Sequence, residues 1–500
     1  MKVLVANRGE IAVRVLRACR DLGLPSVAVY SDVDRDALHT RYADEALPIG
    51  PTPAHESYLS IGAILEAARR SGAQAIHPGY GFLSEAPAFA EAVEAAGMVF
   101  VGPRPETLRV TGNKVAARRV AREAGLPVLS GPDRPWVEAD DEQSVGLDLG
   151  YPLLVKAVSG GGGRGIRLVE RVEDLTMMVS AARREALSSF GDDGVYLEPL
   201  IDRARHIEVQ ILGDGTGRVV HLGERECSIQ RRRQKLIEEA PAPSLCEGQR
   251  QALTDAAVRL GQMLRYRSLG TVEFLLDGHG GFHFIEINPR IQVEHPVTEL
   301  VTGIDLVKEQ LRLAAGRTLS LGQEQIELRG AAIEARVLAE SAPDADIGGD
   351  FLPTTGEITY LKEPGGPGVR VDSALYQGMR VTADYDSLLA KVIGWGATRA
   401  VALVRLRRAL REFQVGGLTT DLSYLLQILE SAAFVTGQVH TMFLDTYQPP
   451  RQRPAATLDA GIAAAVAYLT HANRRMPTAR HRDPSDGIWR AAAWREQMVG

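Results

Sequence analysis

The chain has 500 residues, 57 Lys and Arg against 63 Asp and Glu, a formal net charge of −6 and 45% hydrophobic residues. That length corresponds to roughly three domains of about 150 residues, and the near-balance of charge argues against a general nucleic-acid binder, which carries a basic excess. Cys19, Cys227 and Cys246 form neither a disulfide framework nor a metal-finger spacing; no apolar run reaches the ~20 residues of a bilayer span, no signal-peptide pattern opens the chain, and the expected setting is cytoplasmic.

The first ~110 residues alternate strand and helix patterns, a rhythm that predicts a doubly wound parallel sheet. Strands are expected at 2–6, 26–30, 73–76 and 99–101, and helices at 11–22, 61–70 and 86–96. Ligands of such sheets lie beyond the carboxyl ends of the strands, where Asn7-Arg8-Gly9-Glu10 and His77-Pro78-Gly79-Tyr80-Gly81 fall. A new unit begins near Asn113-Lys114. Residues 127–201 read as a small α+β module holding a strand, Lys156, and the run Gly160-Gly161-Gly162-Gly163. Backbone N–H groups without side chains in the way can fold over a polyphosphate, with the lysine charge nearby. The run fits neither G-x-x-x-x-G-K-[ST] nor G-x-G-x-x-G. A strand-rich region covers 206–296, short strands with many Gly and Pro follow residue 330, and helices are expected at 399–413 and 420–430. Beyond 451 the composition shifts to a linker, an alanine-rich helical stretch and a basic tail.

The chemistry concentrates in Glu273-Phe-Leu-Leu-Asp277, a turn of four residues, and Phe282-His-Phe-Ile-Glu286-Ile-Asn288. This is a hairpin signature. Pairing Asp277 with Phe282 sets Glu273 directly opposite Glu286, and like charges so placed are destabilising unless a divalent cation sits between them. Two carboxylates and the Asn288 amide oxygen suit Mg²⁺ or Mn²⁺. The phenylalanines of both strands argue for a packed face over a solvated hairpin. Along an extended 288–296 segment, Arg290, Gln292 and Glu294 project to one side, offering a cation, an amide and a proton acceptor for a small anion. His206, Glu208, Gln230 and the basic run ending at Lys235 form a third group; by itself the basic run reads as a solvated loop, but beside a metal and phosphates it can stabilise phosphoryl transfer.

With these residues in hand the chain resembles biotin carboxylase, a member of the ATP-grasp superfamily, from Val3 to about Tyr447. The motifs run in order: Ala6-Asn-Arg-Gly-Glu-Ile-Ala12, the His77–Glu85 stretch, Gly112-Asn-Lys114, the glycine run, Arg205-His-Ile-Glu208, Glu238-Glu-Ala-Pro241, the Phe284–Glu299 stretch and Tyr385-Asp-Ser387. The resemblance implies an N-terminal doubly wound sheet over 1–112, an ATP-grasp domain over 113–328 with a mobile glycine-rich lid at about 129–201, a C-terminal biotin carboxylase domain over 329–447, and an extension over 448–500. It implies that ATP phosphorylates bicarbonate to carboxyphosphate, whose CO₂ carboxylates biotin on a carrier protein. Lys114, Lys156, Gly161, Gly162 and Gly163 are then expected at the ATP phosphates. Glu198, Ile201, His206, Gln230 and Arg233 are expected around the nucleotide, and Glu273, Glu286 and Asn288 on Mg²⁺ or Mn²⁺. Arg290, Gln292 and the Val293 N–H are expected to hold bicarbonate, Glu294 to be its base, Lys235 to steady the phosphoryl group, and Arg336 to stabilise the biotin enolate, with Tyr80 also on the substrate side.

The chain departs from the family pattern at several places. Arg233 stands for a usual His, Asn113 for a common Asp, Ser159 for the first glycine of the run and Ala331 for a common His, and the link over 341–350 is long. No Ala-Met-Lys-Met biotinylation motif occurs, so the expected partners are a separate biotin carboxyl carrier protein and carboxyltransferase subunits. A homodimer is expected through the first helix face that bears Arg14, Arg17 and Asp21. Another ATP-grasp ligase, or a non-catalytic ATP-binding scaffold, stands as the alternative.

Overall fold

The computed structural model describes residues 1–131, 134–136, 149–159, 166–342 and 350–447. The side chains of Ser189 and Phe190, the glycine run and everything from 448 onward lie outside the described residues. The opening apolar triplet Val3–Val5 is fully buried as strand β1, the centre of a five-stranded parallel sheet. Helix α1 (Gly9–Asp21) follows, then β2 (Ser26–Ser31), α2 (Leu38–Tyr42), β3 (Glu45–Gly50), α3 (Ile61–Ser71), β4 (Ala75–His77), α4 (Pro87–Ala95) and β5 (Val99–Phe100). The strand order is β3-β2-β1-β4-β5, the doubly wound arrangement expected. Strand β3 was not anticipated: it lies at the sheet edge, contains Pro48 and lacks clean alternation, and edge positions are where a strand tolerates proline.

Helices α5 (Pro105–Gly112) and α6 (Lys114–Glu123) lead out of this sheet. The Asn113 side chain accepts a hydrogen bond from Ala116 N at 2.9 Å and caps α6, so the amide there does the work of an N-cap and sets Lys114 in the first turn. A small antiparallel sheet comes next, built from β6 (Leu153–Ala157), β7 (Ile166–Val169) and, after helix α7 (Leu175–Phe190), β8 (Val195–Pro199), in the order β7-β6-β8. Its own apolar cluster includes Trp136, Leu153, Val155, Val169, Leu175 and Leu197. Lys156 sits in this packed strand, four residues before the glycine run, and Ser159 Oγ donates to Asp192 at 2.5 Å.

The main body is an eight-stranded sheet. It begins with β9 (Arg205–Asp214), β10 (Val219–Arg231) and β11 (Gln234–Ala240), passes helix α8 (Glu247–Met263), and continues as β12 (Arg267–Leu276) and β13 (Phe282–Asn288). Helices α9 (His295–Thr302) and α10 (Leu306–Ala314) precede β14 (Ala331–Leu338), β15 (Val369–Ser373) and β16 (Leu388–Gly396), with α11 (Arg399–Glu412) and α12 (Leu422–Glu430) behind. The spatial order is β13-β12-β9-β10-β11-β14-β16-β15. One continuous sheet therefore crosses the position, near residue 329, where a domain boundary is expected from the sequence. Phe274 and Phe284, both fully buried, lie over the first part; Ile333, Ala335 and Val337 pack with Ala402 and Leu406 of α11 over the second.

Three local expectations are corrected here. The hairpin pairs Leu276 with Phe282, not Asp277 with Phe282, yet Glu273 still faces Glu286 because a bulge between Glu273 and Phe274 restores the register. Asp277 instead caps the turn, its Oδ1 accepting from His279 N and Gly281 N at 2.8 and 2.9 Å. Second, the segment after Asn288 is not extended: it is a loop that turns into α9, with Glu294 as the helix N-cap. Third, of the three residues on the first-helix face Arg14 is not exposed, although it lines one surface depression with Arg17 and Asp21. It is buried, with NH2 donating to Glu299 and Asp305 at 2.8 and 2.6 Å, because α1 packs against α10; Arg17 and Asp21 are the exposed residues of that face.

Candidate active site

A cavity of about 650 Å³ opens between the small sheet and the main sheet. Lys114, Lys156, Ile201, His206, Gln230, Arg233, Glu273 and Glu286, all singled out from the sequence, line it. Glu198 lies beneath it, fully buried, with its carboxylate paired to Arg118 and Lys156. The basic run proves to be a two-residue turn between β10 and β11, with Arg232 and Arg233 both left-handed, at φ of 49° and 65°. Arg233 NH1 donates to the Ile166 carbonyl on β7 at 3.1 Å, which ties this turn to the small sheet.

Beside the cavity, next to its lining residue Glu273, Lys235 is the hub. Its Nζ donates to Glu208 at 2.5 Å, Glu273 at 2.8 Å and Glu294 at 2.7 Å. Glu273 also accepts from Asn288 and Gln292, each at 2.9 Å, and lies 3.0 Å from His206 Nε2. Burial by itself lowers a lysine, but these three carboxylates outweigh it and hold the Lys235 ammonium well above its ordinary value. Burial likewise raises a carboxyl; Lys235, Arg336 and Arg225 overcome it at Glu294, and Lys235 and His206 do so at Glu273, so both stay ionised well below the usual carboxylate range. Glu286 is more open and faces Lys114, with Nζ 3.5 Å from its Oε2.

Arg336 bridges two strands to the α9 cap: Nε donates to Glu238 at 2.6 Å and NH2 to Glu294 at 2.9 Å. Arg290 donates to Glu85 at 2.5 Å and to Asn288 Oδ1 at 3.3 Å. Gln292 is clamped between Arg225, which donates to its Oε1 at 2.9 Å, and Glu273. The Val293 carbonyl accepts from Lys391 at 2.9 Å, and the Tyr80 hydroxyl donates to Glu10. Gly161, Gly162 and Gly163 belong to the run that lies outside the described residues.

Sequence reasoning missed four supports. Arg225 is fully buried and donates to Glu208, Gln210, Thr298, Thr271 and Gln292; nothing in its local pattern marks it. Lys391, Glu85 and Glu238 were likewise not assigned, although the last two lie inside family motifs, the His77–Glu85 stretch and Glu238-Glu-Ala-Pro241. Facing Glu273, which is buried, and Glu286, which opens to the cavity, with the Asn288 amide beside them form a hard-oxygen donor set that suits a divalent cation. The other close acidic groups, His206–Glu208–Glu273 and Glu208–Cys227–Glu294, surround the Lys235 ammonium, which already supplies theirs.

Two lysines at one end of a nucleotide-sized cavity, opposed carboxylates and a buried cation define a phosphoryl-transfer site. Family models match accordingly: "Biotin carboxylase, N-terminal domain" over residues 1–108, "Carbamoyl-phosphate synthase L chain, ATP binding domain" over 113–322, and "Biotin carboxylase C-terminal domain" over 334–446. Biotin carboxylase of Nostoc sp. is 50% identical over 89% of this chain and 98% of its own length. The biotin carboxylase domain dimer of Hydrogenobacter thermophilus 2-oxoglutarate carboxylase, solved with MgADP, ADP and bicarbonate, superposes with a TM-score of 0.85 at 43% identity, covering 89% of this chain and 97% of that one. The solved biotin carboxylase subunit of pyruvate carboxylase superposes with a TM-score of 0.74 at 44% identity, again over 89% and 97% of the two chains. The chain belongs to the biotin carboxylase family. Among the described residues, no helix is long and apolar enough to cross a membrane.

Proposed function

We propose that this chain carboxylates biotin with bicarbonate and ATP, the first half-reaction of a biotin-dependent carboxylase. The convergence of Lys235, Glu294 and Arg336, joined to the cavity through Glu273, carries the reading. Lys114 and Lys156 hold the ATP phosphates, and Ile201, His206, Gln230 and Arg233 line the nucleotide, with Glu198 fixing Lys156 from below. Glu273, Glu286 and Asn288 would hold Mg²⁺ or Mn²⁺, which when bound neutralises phosphate charge. Arg290 and the Val293 N–H hold bicarbonate, and Gln292, clamped by Arg225, shapes that pocket. Glu294, kept ionised by its cations, takes the bicarbonate proton as a bicarbonate oxygen attacks the γ-phosphorus. Lys235 stabilises the transferring phosphoryl group. Carboxyphosphate then yields CO₂ and phosphate, the released phosphate takes the N1′ proton of biotin, and Arg336, with Tyr80 nearby on the substrate side, stabilises the resulting biotin enolate that CO₂ carboxylates at N1′.

The domain division at 112, 328 and 447, a separate biotin carrier, carboxyltransferase subunits and a homodimer through the first-helix face that bears Arg14, Arg17 and Asp21 belong to the same reading. The likeness to the biotin carboxylase subunit of pyruvate carboxylase supports the separate partners, and the dimer of the Hydrogenobacter domain supports the homodimer. A coupled ATPase assay tests the function: turnover is expected to require bicarbonate and to rise with free biotin. Turnover indifferent to both contradicts it.

A further inference from the structure

Glu334 is fully buried and takes no part in the chemistry above, and neither of its carboxylate oxygens has a hydrogen-bond partner. Side chains alternate across a strand, so Ile333, Ala335 and Val337 of β14 face α11, while Glu334 and Arg336 share the opposite face with α9. Directly across the antiparallel ladder from Glu334 stands Glu238 of β11, also fully buried. Glu238 spends Oε1 on Arg336, and its Oε2 too has no hydrogen-bond partner. Direct cross-strand partners lie with Cβ atoms about 5 Å apart, within carboxyl–carboxyl hydrogen-bond reach. Two opposed carboxylates with donors for only one of their four oxygens are costly in such a place, and one proton between them supplies a missing donor.

We propose that Glu334 is a positioning residue: it is held as the neutral acid, donates its proton in a hydrogen bond to Glu238, and so keeps the pair at a single negative charge that fixes Arg336 against Glu294. The inference rests on the reading of Arg336 as the biotin-side cation. The charged and titratable groups around the pair are Lys235 on β11, Cys227 on β10, Arg336 on β14 itself, Lys391 on β16, Glu294 and His295 at the start of α9, and Glu10 of α1 through Lys391. Burial first, then Glu238, push the Glu334 carboxyl well above its ordinary value despite Lys391; burial raises Glu238 to about 7 despite Arg336. Loss of the shared proton leaves two negative charges on one side of Arg336, which draws the guanidinium from Glu294 toward the pair. Biotin carboxylation then declines as pH rises, while ATP cleavage without biotin keeps its rate.

The test compares the full-length chain with Glu334→Gln, whose amide stays neutral and still donates to Glu238. Near neutral pH the variant is expected to carboxylate free biotin within about threefold of the parent, because a neutral donor replaces a neutral donor. The parent is expected to lose carboxylation about tenfold per pH unit on the alkaline side, a one-proton limb that Glu334→Gln lacks. Infrared difference spectra, parent minus variant, are expected to show a protonated-carboxyl band at neutral pH that vanishes on the same limb. Superimposable pH profiles, or no protonated-carboxyl band in the difference, overturn the proposal. Should the variant not fold, Glu334→Leu serves as the reference for the same infrared difference, which cancels the bands of Asp421 and the other buried acids. A chain that never carboxylates biotin defeats the functional reading instead, and the infrared band still decides the shared proton.

Discussion

The two opposed carboxylates of the hairpin differ in what they do for the fold. Glu273 is held by Lys235, His206, Asn288 and Gln292, so its charge is part of the buried network. Among the described residues Glu286 forms its ion pair with the Lys114 ammonium, at 3.5 Å, and its side chain is 23% exposed. Changing it costs little stability, since a part-exposed ion pair contributes about 0–1 kcal/mol. Glu286→Gln is therefore expected to melt within a few degrees of the parent and to lose metal-dependent turnover by at least about a hundredfold, because phosphoryl transfer leans on the cation it would bind. Steady-state ATPase with varied Mg²⁺, beside a thermal melt, checks this; near-normal turnover at saturating metal contradicts the hairpin's role.

At the scale of elements, apolar runs, periodicity and turn residues announced the N-terminal parallel sheet, the β12–β13 hairpin and the helices α11 and α12: β1, β2 and most of β12 are buried on both faces, whereas α11 buries one. Strand β3 hid behind Pro48 and an unalternating pattern. The bulge after Glu273 was invisible because its effect is to restore a pairing that plain counting also produces, by a different register nearer the turn. The convergence of Arg290, Gln292 and Glu294 was legible as a set of residue types but not as a shape: tertiary partners, namely Glu85, Arg225 and Lys235, bend the segment into a loop. Arg225 and Lys391 were illegible, since their five-way and cross-sheet contacts exist only after folding.

One such contact gives a pH prediction. Asp421 precedes α12 and clamps the end of β14, its Oδ1 accepting from Leu338 N at 2.8 Å while Oδ2 is buried without a hydrogen-bond partner. Burial raises its carboxyl to about 8. A folded-state value above the unfolded one, about 3.9, means that the folded chain keeps a proton the unfolded chain has released. This contribution is complete below about pH 4 and is lost as pH rises toward about 8. Asp421→Asn keeps an acceptor oxygen and cannot ionise, so its urea midpoint is expected to fall less than the parent's between pH 5 and 8. Parallel declines contradict the assignment.

Across the whole molecule, buried cations tie the N-terminal sheet to the main sheet. Lys391 is fully buried on β16, 3.1 Å from Glu10 of α1 and 3.8 Å from Asp372 of β15, and it donates to the Val293 carbonyl beside the anion pocket. Lys391→Met leaves Glu10 without its cation, and breaking a buried pair from one side costs about 3–5 kcal/mol. Chemical denaturation is expected to show a loss of that order together with weaker bicarbonate dependence, whereas an unchanged midpoint means the pair does not hold the domains together. The central claim is that this assembly drives ATP onto bicarbonate. It is tested most directly by turnover in ¹⁸O-labelled bicarbonate with ATP, magnesium and free biotin, followed by mass analysis of the released phosphate. Attack by a bicarbonate oxygen, followed by cleavage of the bond between that oxygen and carbon, places one labelled oxygen in each phosphate. Phosphate that carries none of the label contradicts the account.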